Sequence, residues 1–294
     1  MDINKRIIEI SNSVGDYLKK IIPSEHKYIN TILNSMRYST FAGGKRLRPV
    51  LMIGSSELFG CPAADVMPFA ASIEMIHTYS LIHDDLPAMD NDDYRRGKLS
   101  NHKVFGEGMA ILTGDALLNF AFENMVEYAY QKNQRKYVRA AFEISRAAGI
   151  YGMIGGQVVD LECENKKISE DILKYMYNNK TGALIKAAIR SGAIIAGAGE
   201  DDIEKLTRYG ENLGFAFQIV DDILDVIGDR KTMGKETGSD EVNKKATYVS
   251  MHGIKESMKM ARFLSEKAME DIDYFGQKAE FLKGVADLLL SRNY

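Results

Sequence analysis

Cysteine, proline and excess charge are all scarce in this chain of 294 residues. The two cysteines, Cys61 and Cys163, form no Cys-x-x-Cys pair, so neither a disulfide framework nor a thiolate metal site is indicated. A formal net charge of −3 excludes the overall positive charge typical of nucleic-acid-binding proteins. We therefore expect a protein of the reducing cytoplasm that binds no nucleic acid.

Long apolar runs are also lacking. The most apolar stretch, residues 181–199, is interrupted by Lys186 and Arg190, and no window approaches the length that a membrane-spanning helix needs. The first residues mix charged with apolar side chains from the second position onward, unlike a signal peptide. The sequence predicts a soluble protein without a membrane span.

The distribution of proline favours helices. All five prolines lie between Pro23 and Pro87, and apolar residues recur at helical spacing, as in the segment from Ile73 to Ile82. Hairpin turn signals are absent, so the predicted fold class is all-α, in one domain covering residues 1–294. The predicted helices lie near residues 3–20, 25–37, 46–58, 63–84, 108–130, 134–152, 169–177, 180–197, 201–226, 254–274 and 278–291.

Two aspartate clusters each follow an apolar helical segment, and each is followed by a long polar loop. The first contains Asp84, Asp85 and Asp90, and the second contains Asp221, Asp222 and Asp225. Residues four apart share one face of a helix, so Asp221 and Asp225 lie on a common stripe with Gln218. Pro87 ends the first helix, so Asp90 has to return through the loop.

Clustered carboxylates in apolar surroundings repel one another and require a counter-ion. Oxygen ligands without nearby histidine or cysteine suit Mg²⁺, which completes its coordination shell with substrate phosphate oxygens. Basic residues near the clusters supply further positive charge. They are Lys45, Arg46 and Arg48, then Arg95 and Arg96, and finally Lys235, Lys244 and Lys245. Two anionic substrates are therefore plausible.

Structural interpretations compete with these functional ones. A single aspartate-rich run is usually a solvated helix face, and it is the second matching cluster that favours a ligand site. His77 lies on an apolar stripe, where a core histidine and a ligand are about equally expected. Lys180 and Thr181 could simply begin an exposed helix.

The motifs together resemble the trans-isoprenyl diphosphate synthases, the polyprenyl synthetase family, and within it the bacterial farnesyl diphosphate synthase type. The first motif, DDxxxxD, runs from Asp84 to Asp90, and the second, DDxxD, runs from Asp221 to Asp225. The stretches GGKRLRP, FGEGMAILTGDALL, GGQVVDL, KTGALI and GKETGSDEVNKKATY occur in the family's order. The resemblance covers nearly the whole chain.

This resemblance implies an isoprenoid synthase bundle of helices around a deep central cavity, usually a homodimer. It implies that the six aspartates of the two motifs hold three Mg²⁺ ions on an allylic diphosphate. Residues implied to contact that diphosphate or the reacting carbons are Arg95, Lys180, Thr181, Gln218, Lys235 and Lys245. Residues implied to bind isopentenyl diphosphate are Lys45, Arg48, His77 and Arg96. The implied reaction is condensation of dimethylallyl or geranyl diphosphate with isopentenyl diphosphate, with release of pyrophosphate.

The length of the product is expected to depend on Tyr79, with Ser80 beside it. Tyr79 lies five residues before Asp84, about 7 Å along the helix axis. In the family an aromatic residue at this position accompanies a fifteen-carbon product, so the resemblance implies farnesyl diphosphate. Two alternatives stay open: a geranylgeranyl diphosphate synthase, and a non-catalytic synthase-like subunit of a heteromer. A terpene cyclase is less consistent with the intact second motif.

Overall fold

The structure is a computed structural model that describes residues 2–227 and 246–290. Its first helices are α1 (Ile3–Ile21), α2 (Asn30–Thr40), α3 (Leu47–Glu57) and α4 (Ala63–Asp84). After a small hairpin follow α5 (Asn101–Phe105), α6 (Glu107–Lys132), α7 (Arg135–Ala148), α8 (Met153–Cys163), α9 (Glu170–Met176), a π-helical turn (Tyr177–Thr181), α10 (Gly182–Ala196) and α11 (Glu200–Ile227). The chain then forms α12 (Tyr248–His252), α13 (Ile254–Asp271), a 3₁₀ segment (Asp273–Ala279) and α14 (Glu280–Leu290).

Helices account for 79% of the structure, so the all-α prediction is confirmed. The hairpin consists of β1 (Tyr94–Arg95) and β2 (Lys98–Leu99), which pair antiparallel. It lies in the stretch from Pro87 to Asn101 that the sequence predicts as a long loop. No helix of the described ranges combines the length and the apolar character that crossing a lipid bilayer requires.

The central helix of the core is α10, which is buried on almost all sides between α3, α7 and α11. Small residues allow this close packing. A Cβ atom added at Gly192 would lie 2.1 Å from the carbonyl oxygen of Met52 in α3. The hydroxyl of Ser55 donates a hydrogen bond of 2.7 Å to the carbonyl oxygen of Ile189 across the same contact. The backbones of α3 and α10 therefore touch.

The two aspartate motifs end helices that form part of this core. Helix α4 packs against α6 and α3, and large apolar side chains such as Phe69, Ile73 and Ile76 bury it around its circumference. Helix α11 packs against α10 and α13 and buries Ile219 and Ile223 in the same way. The C-terminal parts of these two helices carry Asp84 and the three aspartates of the second motif.

Predicted and observed helices agree closely for α1, α4, α9 and α11, and they differ more at other places. Helix α2 begins at Asn30 rather than near residue 25, because residues 26–29 form a turn in which the Asn30 side chain accepts a 2.6 Å hydrogen bond from the backbone N–H of His26. Helix α8 is absent from the sequence prediction. The second predicted loop, Gly228 to Thr247, lies outside the described residues except for its last two positions.

Candidate active site

A cavity of about 680 Å³ opens between α4, α8, the π-helical turn and α11. Its lining includes Asp84 and Asp90 from the first motif and Asp221 and Asp222 from the second. The structure therefore brings the two aspartate clusters to a single cavity, although they lie far apart in the sequence.

The adjacent residues Asp84 and Asp85 point in different directions. Asp84 lines the cavity and accepts a 2.7 Å hydrogen bond from Nε2 of Gln157. Asp85 is 2% exposed, and its Oδ1 accepts a hydrogen bond of 2.9 Å from Nε of Arg95 and a second one from the same guanidinium. Arg95 also contacts Asp92 at 3.0 Å. Asp85 is not among the described residues that line the cavity.

Asp90 reaches the cavity because the chain turns back after α4. The backbone N–H of Asp90 donates a 2.9 Å hydrogen bond to the carbonyl oxygen of Asp84, and the N–H of Asn91 donates to Leu86 at 3.1 Å. Asn91 adopts a left-handed backbone conformation with φ of 54°, which asparagine tolerates better than most residues. The tight turn thus places the carboxylate of Asp90 beside that of Asp84.

The aspartates of the second motif also differ from one another. Asp221 is partly exposed in the cavity, whereas Asp222 and Asp225 are each 2% exposed. Oδ1 of Asp222 accepts a 3.0 Å hydrogen bond from Nε2 of Gln218, and Oδ2 accepts from the hydroxyl of Tyr177 and from the N–H of Tyr248 at 3.1 Å. Both carboxylate oxygens of Asp222 therefore accept hydrogen bonds from other groups of the protein.

The π-helical turn presents Lys180 and Thr181 to the cavity. Nζ of Lys180 lies 2.5 Å from Oδ2 of Asp160 in α8. Burial alone would lower the pKa of Lys180, but the charges of Asp84 and Asp160 raise it overall, so the amine stays protonated. The hydroxyl of Thr181 donates a 2.6 Å hydrogen bond to Oε1 of Gln218.

A second group of basic side chains surrounds the end of the cavity where Arg48 and His77 lie. Arg48 is 9% exposed, and burial lowers its pKa to about 10. The pKa of His77 is lowered well below 6.5, chiefly by burial and then by the charges of Arg48, Arg96 and Arg95, so His77 is neutral. The pocket therefore combines fixed positive charges with a neutral imidazole.

Arg96 lies against the glycine pair Gly43 and Gly44. A Cβ atom added at Gly44 would lie 2.6 Å from Cζ of Arg96, and the guanidinium donates a hydrogen bond to the carbonyl oxygen of Gly43. Lys45 is exposed next to this contact. Lys235 and Lys245, which the resemblance also implies as contacts of the substrate, lie outside the described residues.

Tyr79 and Ser80 both line the cavity, as do the apolar side chains Leu118, Met153 and Phe217. Tyr79 is 6% exposed, packs edge-to-face against His83 with ring centroids 5.6 Å apart, and burial raises its pKa to about 12. Apolar groups thus border the space below the aspartates.

The lining also includes polar residues to which the sequence interpretation assigns no role, among them Gln157, Asp160, Asp115 and Tyr177. The first two belong to the quoted stretch GGQVVDL, and Asp115 belongs to FGEGMAILTGDALL, so these motifs contained the signal. A Cβ atom at Gly156 would lie 2.1 Å from the backbone nitrogen of Lys180, which explains why a glycine is needed where α8 contacts the π-helical turn. Tyr177 belongs to no quoted motif.

The carboxylates that line the cavity fit a hard divalent cation that binds together with a phosphate-bearing substrate. Asp84, Asp90 and Asp221 supply carboxylate oxygens, which Mg²⁺ prefers. Within the described residues no three His, Cys, Asp or Glu side chains are grouped as in a complete protein metal site. Mg²⁺ is often bound in proteins through only one or two carboxylates together with phosphate oxygens of a substrate.

Comparison with known proteins defines first the fold and then the family. The structural neighbours share the all-α terpenoid synthase fold. An FPP/GFPP synthase from Zymomonas mobilis is 31% identical, with a TM-score of 0.89 over 99% of each chain. A model of the polyprenyl synthetase family matches residues 29–283, so the chain belongs to that family, which supports prenyl transfer as its activity.

Two further relatives bear on substrate and metal. A geranylgeranyl diphosphate synthase of Cyanophora paradoxa is 45% identical over 288 residues, which cover 98% of this chain and 95% of the relative. A geranyltransferase from Helicobacter pylori, solved with magnesium and isoprenyl diphosphate, is 29% identical, with a TM-score of 0.86 over 99% of this chain and 97% of that one. The family resemblance is thus confirmed, whereas the farnesyl type is not.

Proposed function

We propose that the protein condenses an allylic diphosphate with isopentenyl diphosphate to give a longer prenyl diphosphate and pyrophosphate. The observation that supports this proposal is the meeting of Asp84, Asp90 and Asp221 over one cavity bordered by apolar side chains. Carboxylates recruit a metal–diphosphate group, and the apolar space below them accepts a hydrocarbon tail.

The allylic diphosphate would lie between the two aspartate walls. Lys180, held protonated by its acidic neighbours, and Arg95 supply fixed positive charge to the diphosphate as its C–O bond breaks and the electron pair leaves with it. Thr181 and Gln218 border the position of the resulting cation. An apolar cavity excludes the water that would otherwise capture this cation.

Isopentenyl diphosphate would bind in the pocket of Arg48, His77 and Arg96, with Lys45 at its edge. Its double bond attacks the allylic cation, a C–C bond forms, and a proton is lost to the departed diphosphate. Neutral His77 serves as a hydrogen-bond donor rather than as a charge.

Magnesium fits this scheme through the cavity-facing carboxylates of Asp84, Asp90 and Asp221, and we propose three ions in each site. When bound, the ions would supply Lewis-acid charge neutralisation at the diphosphate oxygens. Asp85 would hold Arg95 in place and Asp222 would hold Gln218, while Asp225 is itself buried.

The names of the relatives favour a twenty-carbon product over the fifteen-carbon product expected from the sequence. The 45% identical relative is a geranylgeranyl diphosphate synthase, and several plant relatives carry the same name. One specific observation favours farnesyl diphosphate instead: the ring of Tyr79 lines the cavity below Asp84. We therefore propose geranylgeranyl diphosphate as the product and keep farnesyl diphosphate as the second candidate.

A homodimer is part of the proposal. Val126 in α6 and Val138 and Phe142 in α7 are 61%, 58% and 59% exposed, which gives these helices an apolar surface that a second copy would cover. Light scattering of the purified protein should give twice the mass of one chain, and a monomer at micromolar concentration would contradict the dimer.

The function is tested with purified protein, Mg²⁺, isopentenyl diphosphate and either dimethylallyl or geranyl diphosphate. We expect pyrophosphate release and, by mass spectrometry, a prenyl diphosphate of twenty or fifteen carbons. Release that requires a second protein would favour the non-catalytic subunit, and no turnover under any of these conditions would refute the proposal.

A further inference from the structure

The hydroxyl of Tyr177 joins three segments of the chain. Tyr177 begins the π-helical turn and is 3% exposed. Its hydroxyl donates to Oδ2 of Asp222 in α11 and accepts a 2.8 Å hydrogen bond from the backbone N–H of Tyr248, the first residue of α12. The same N–H lies 3.1 Å from Oδ2 of Asp222. One phenol therefore ties the π-helical turn, α11 and α12 together.

The other oxygen of Asp222 continues this network into the cavity. Oδ1 accepts from Nε2 of Gln218 at 3.0 Å, so the amide oxygen of Gln218 is directed toward Thr181, whose hydroxyl donates to it at 2.6 Å. In this series of hydrogen bonds, the donor or acceptor role of each group is fixed by its neighbour. The orientation of Thr181 thus depends, through Gln218, on how Asp222 is held.

The ring of Tyr177 has a separate role in packing. It lies 5.5 Å from the ring of Phe215, which in turn packs edge-to-face on Tyr248 at 6.2 Å. A phenylalanine at position 177 would keep these contacts and remove only the hydroxyl. The contribution of the hydrogen bonds can therefore be measured apart from that of the core.

We propose that Tyr177 is a positioning residue for the allylic half of the site. Its hydroxyl holds Asp222, and through Asp222 it orients Gln218 and Thr181, while it fixes the start of α12 against α11. This inference rests on the proposed function, which places the allylic carbon beside Thr181 and Gln218. The pocket of Arg48 is not part of the network, so binding of isopentenyl diphosphate does not depend on Tyr177.

The kinetic test is Tyr177→Phe, with Tyr175→Phe as the matched control. Tyr175 lies two residues earlier and is 46% exposed. Loss of a hydrogen bond to a carboxylate should lower kcat of Tyr177→Phe by about tenfold to a hundredfold, with KM for isopentenyl diphosphate unchanged. Tyr175→Phe should retain both constants. An unchanged kcat in Tyr177→Phe would overturn the inference, and so would a parallel change of kcat and KM accompanied by loss of helical circular dichroism.

A second measurement does not require turnover. Hydrogen–deuterium exchange of the Tyr248 amide should be at least several-fold faster in Tyr177→Phe than in the wild type, because that N–H loses one of its two acceptors. Equal exchange would refute the hydrogen-bond link. If the wild type turns over no prenyl substrate, the proposed function fails, while the exchange experiment still decides whether Tyr177 holds this network.

Discussion

Asp85 and Arg95 form a buried ion pair, with Nε of Arg95 2.9 Å from Oδ1 of Asp85. Successive helical residues point about 100° apart, so Asp84 faces the cavity when Asp85 faces Arg95. Two adjacent aspartates of one motif therefore have different surroundings: Asp84 lines the cavity, and Asp85 binds Arg95, a cation that borders it.

The two aspartates should consequently respond differently to substitution. Asp84→Asn should lower kcat about a hundredfold or more and raise the Mg²⁺ concentration required for half-maximal rate. Asp85→Asn should leave the Mg²⁺ requirement unchanged and lower the free energy of unfolding by about 3 kcal/mol, because Arg95 loses its buried partner. Mg²⁺ titrations and urea unfolding measure these effects.

Asp93→Asn is the control for this pair of variants, because Asp93 is an exposed carboxylate that contacts Lys103 at 2.8 Å. Its unfolding free energy should change by less than about 1 kcal/mol. If Asp84→Asn and Asp85→Asn raised the Mg²⁺ requirement equally, the different roles assigned to them would be wrong.

The stability of the protein should decrease as the pH is lowered, and part of this decrease should depend on His77. Since burial and the neighbouring arginines lower the pKa of His77 in the folded protein, the unfolded chain takes up a proton first as the pH falls through 6.5. Protonation then favours unfolding, so the His77 contribution is present above pH 6.5 and is lost below it. Urea unfolding between about pH 7 and pH 5 should show a smaller decline for His77→Gln than for the wild type. Equal declines would contradict a neutral His77 in the folded protein.

Removing the ring of Tyr79 should lengthen the product. Tyr79→Ala opens space below the aspartates, so the growing chain should accept at least one more isopentenyl unit before release. Mass spectrometry of the products from geranyl diphosphate measures the shift. Tyr28→Ala, at a position 78% exposed, should leave the distribution unchanged. An unaltered product from Tyr79→Ala would exclude this ring as the limit on chain length.

The contact between α3 and α10 should be intolerant of a single methyl group. In Gly192→Ala the new Cβ meets the carbonyl oxygen of Met52 at 2.1 Å, and a backbone atom cannot rotate away. We expect a loss of about 2 kcal/mol or more in unfolding free energy, measured by urea denaturation. Gly199→Ala has no heavy atom within 4 Å of the new methyl group and should be nearly neutral. Equal stabilities of the two variants would show that the helices separate easily.

Local signals predicted some helices better than others. Helix α4 was predictable because its apolar residues recur at helical spacing and Pro87 marks its end. Helix α8 was missed because Gly155 and Gly156 weaken its intrinsic helix propensity. In the structure these glycines let α8 approach other backbones, and this close contact is not visible in local propensity.

The residues of the candidate site were also only partly predictable from the sequence. The repeated aspartate motif indicated which residues belong together, and the cavity contains members of both copies. The partner that holds Asp85 is Arg95, which approaches through the hairpin and could not be inferred from spacing. The role of Tyr177 likewise depends on a backbone N–H that lies 71 residues away in the sequence.

His77, Tyr79 and Asp84 all belong to α4, one continuous helix whose rise is fixed at about 1.5 Å per residue. In the proposed reaction, the distance along the helix axis between Asp84 and the ring of Tyr79 is therefore set by the helix itself. Under this proposal, a single substitution at position 79 would change the length available to the hydrocarbon tail without moving the helix that carries the aspartate.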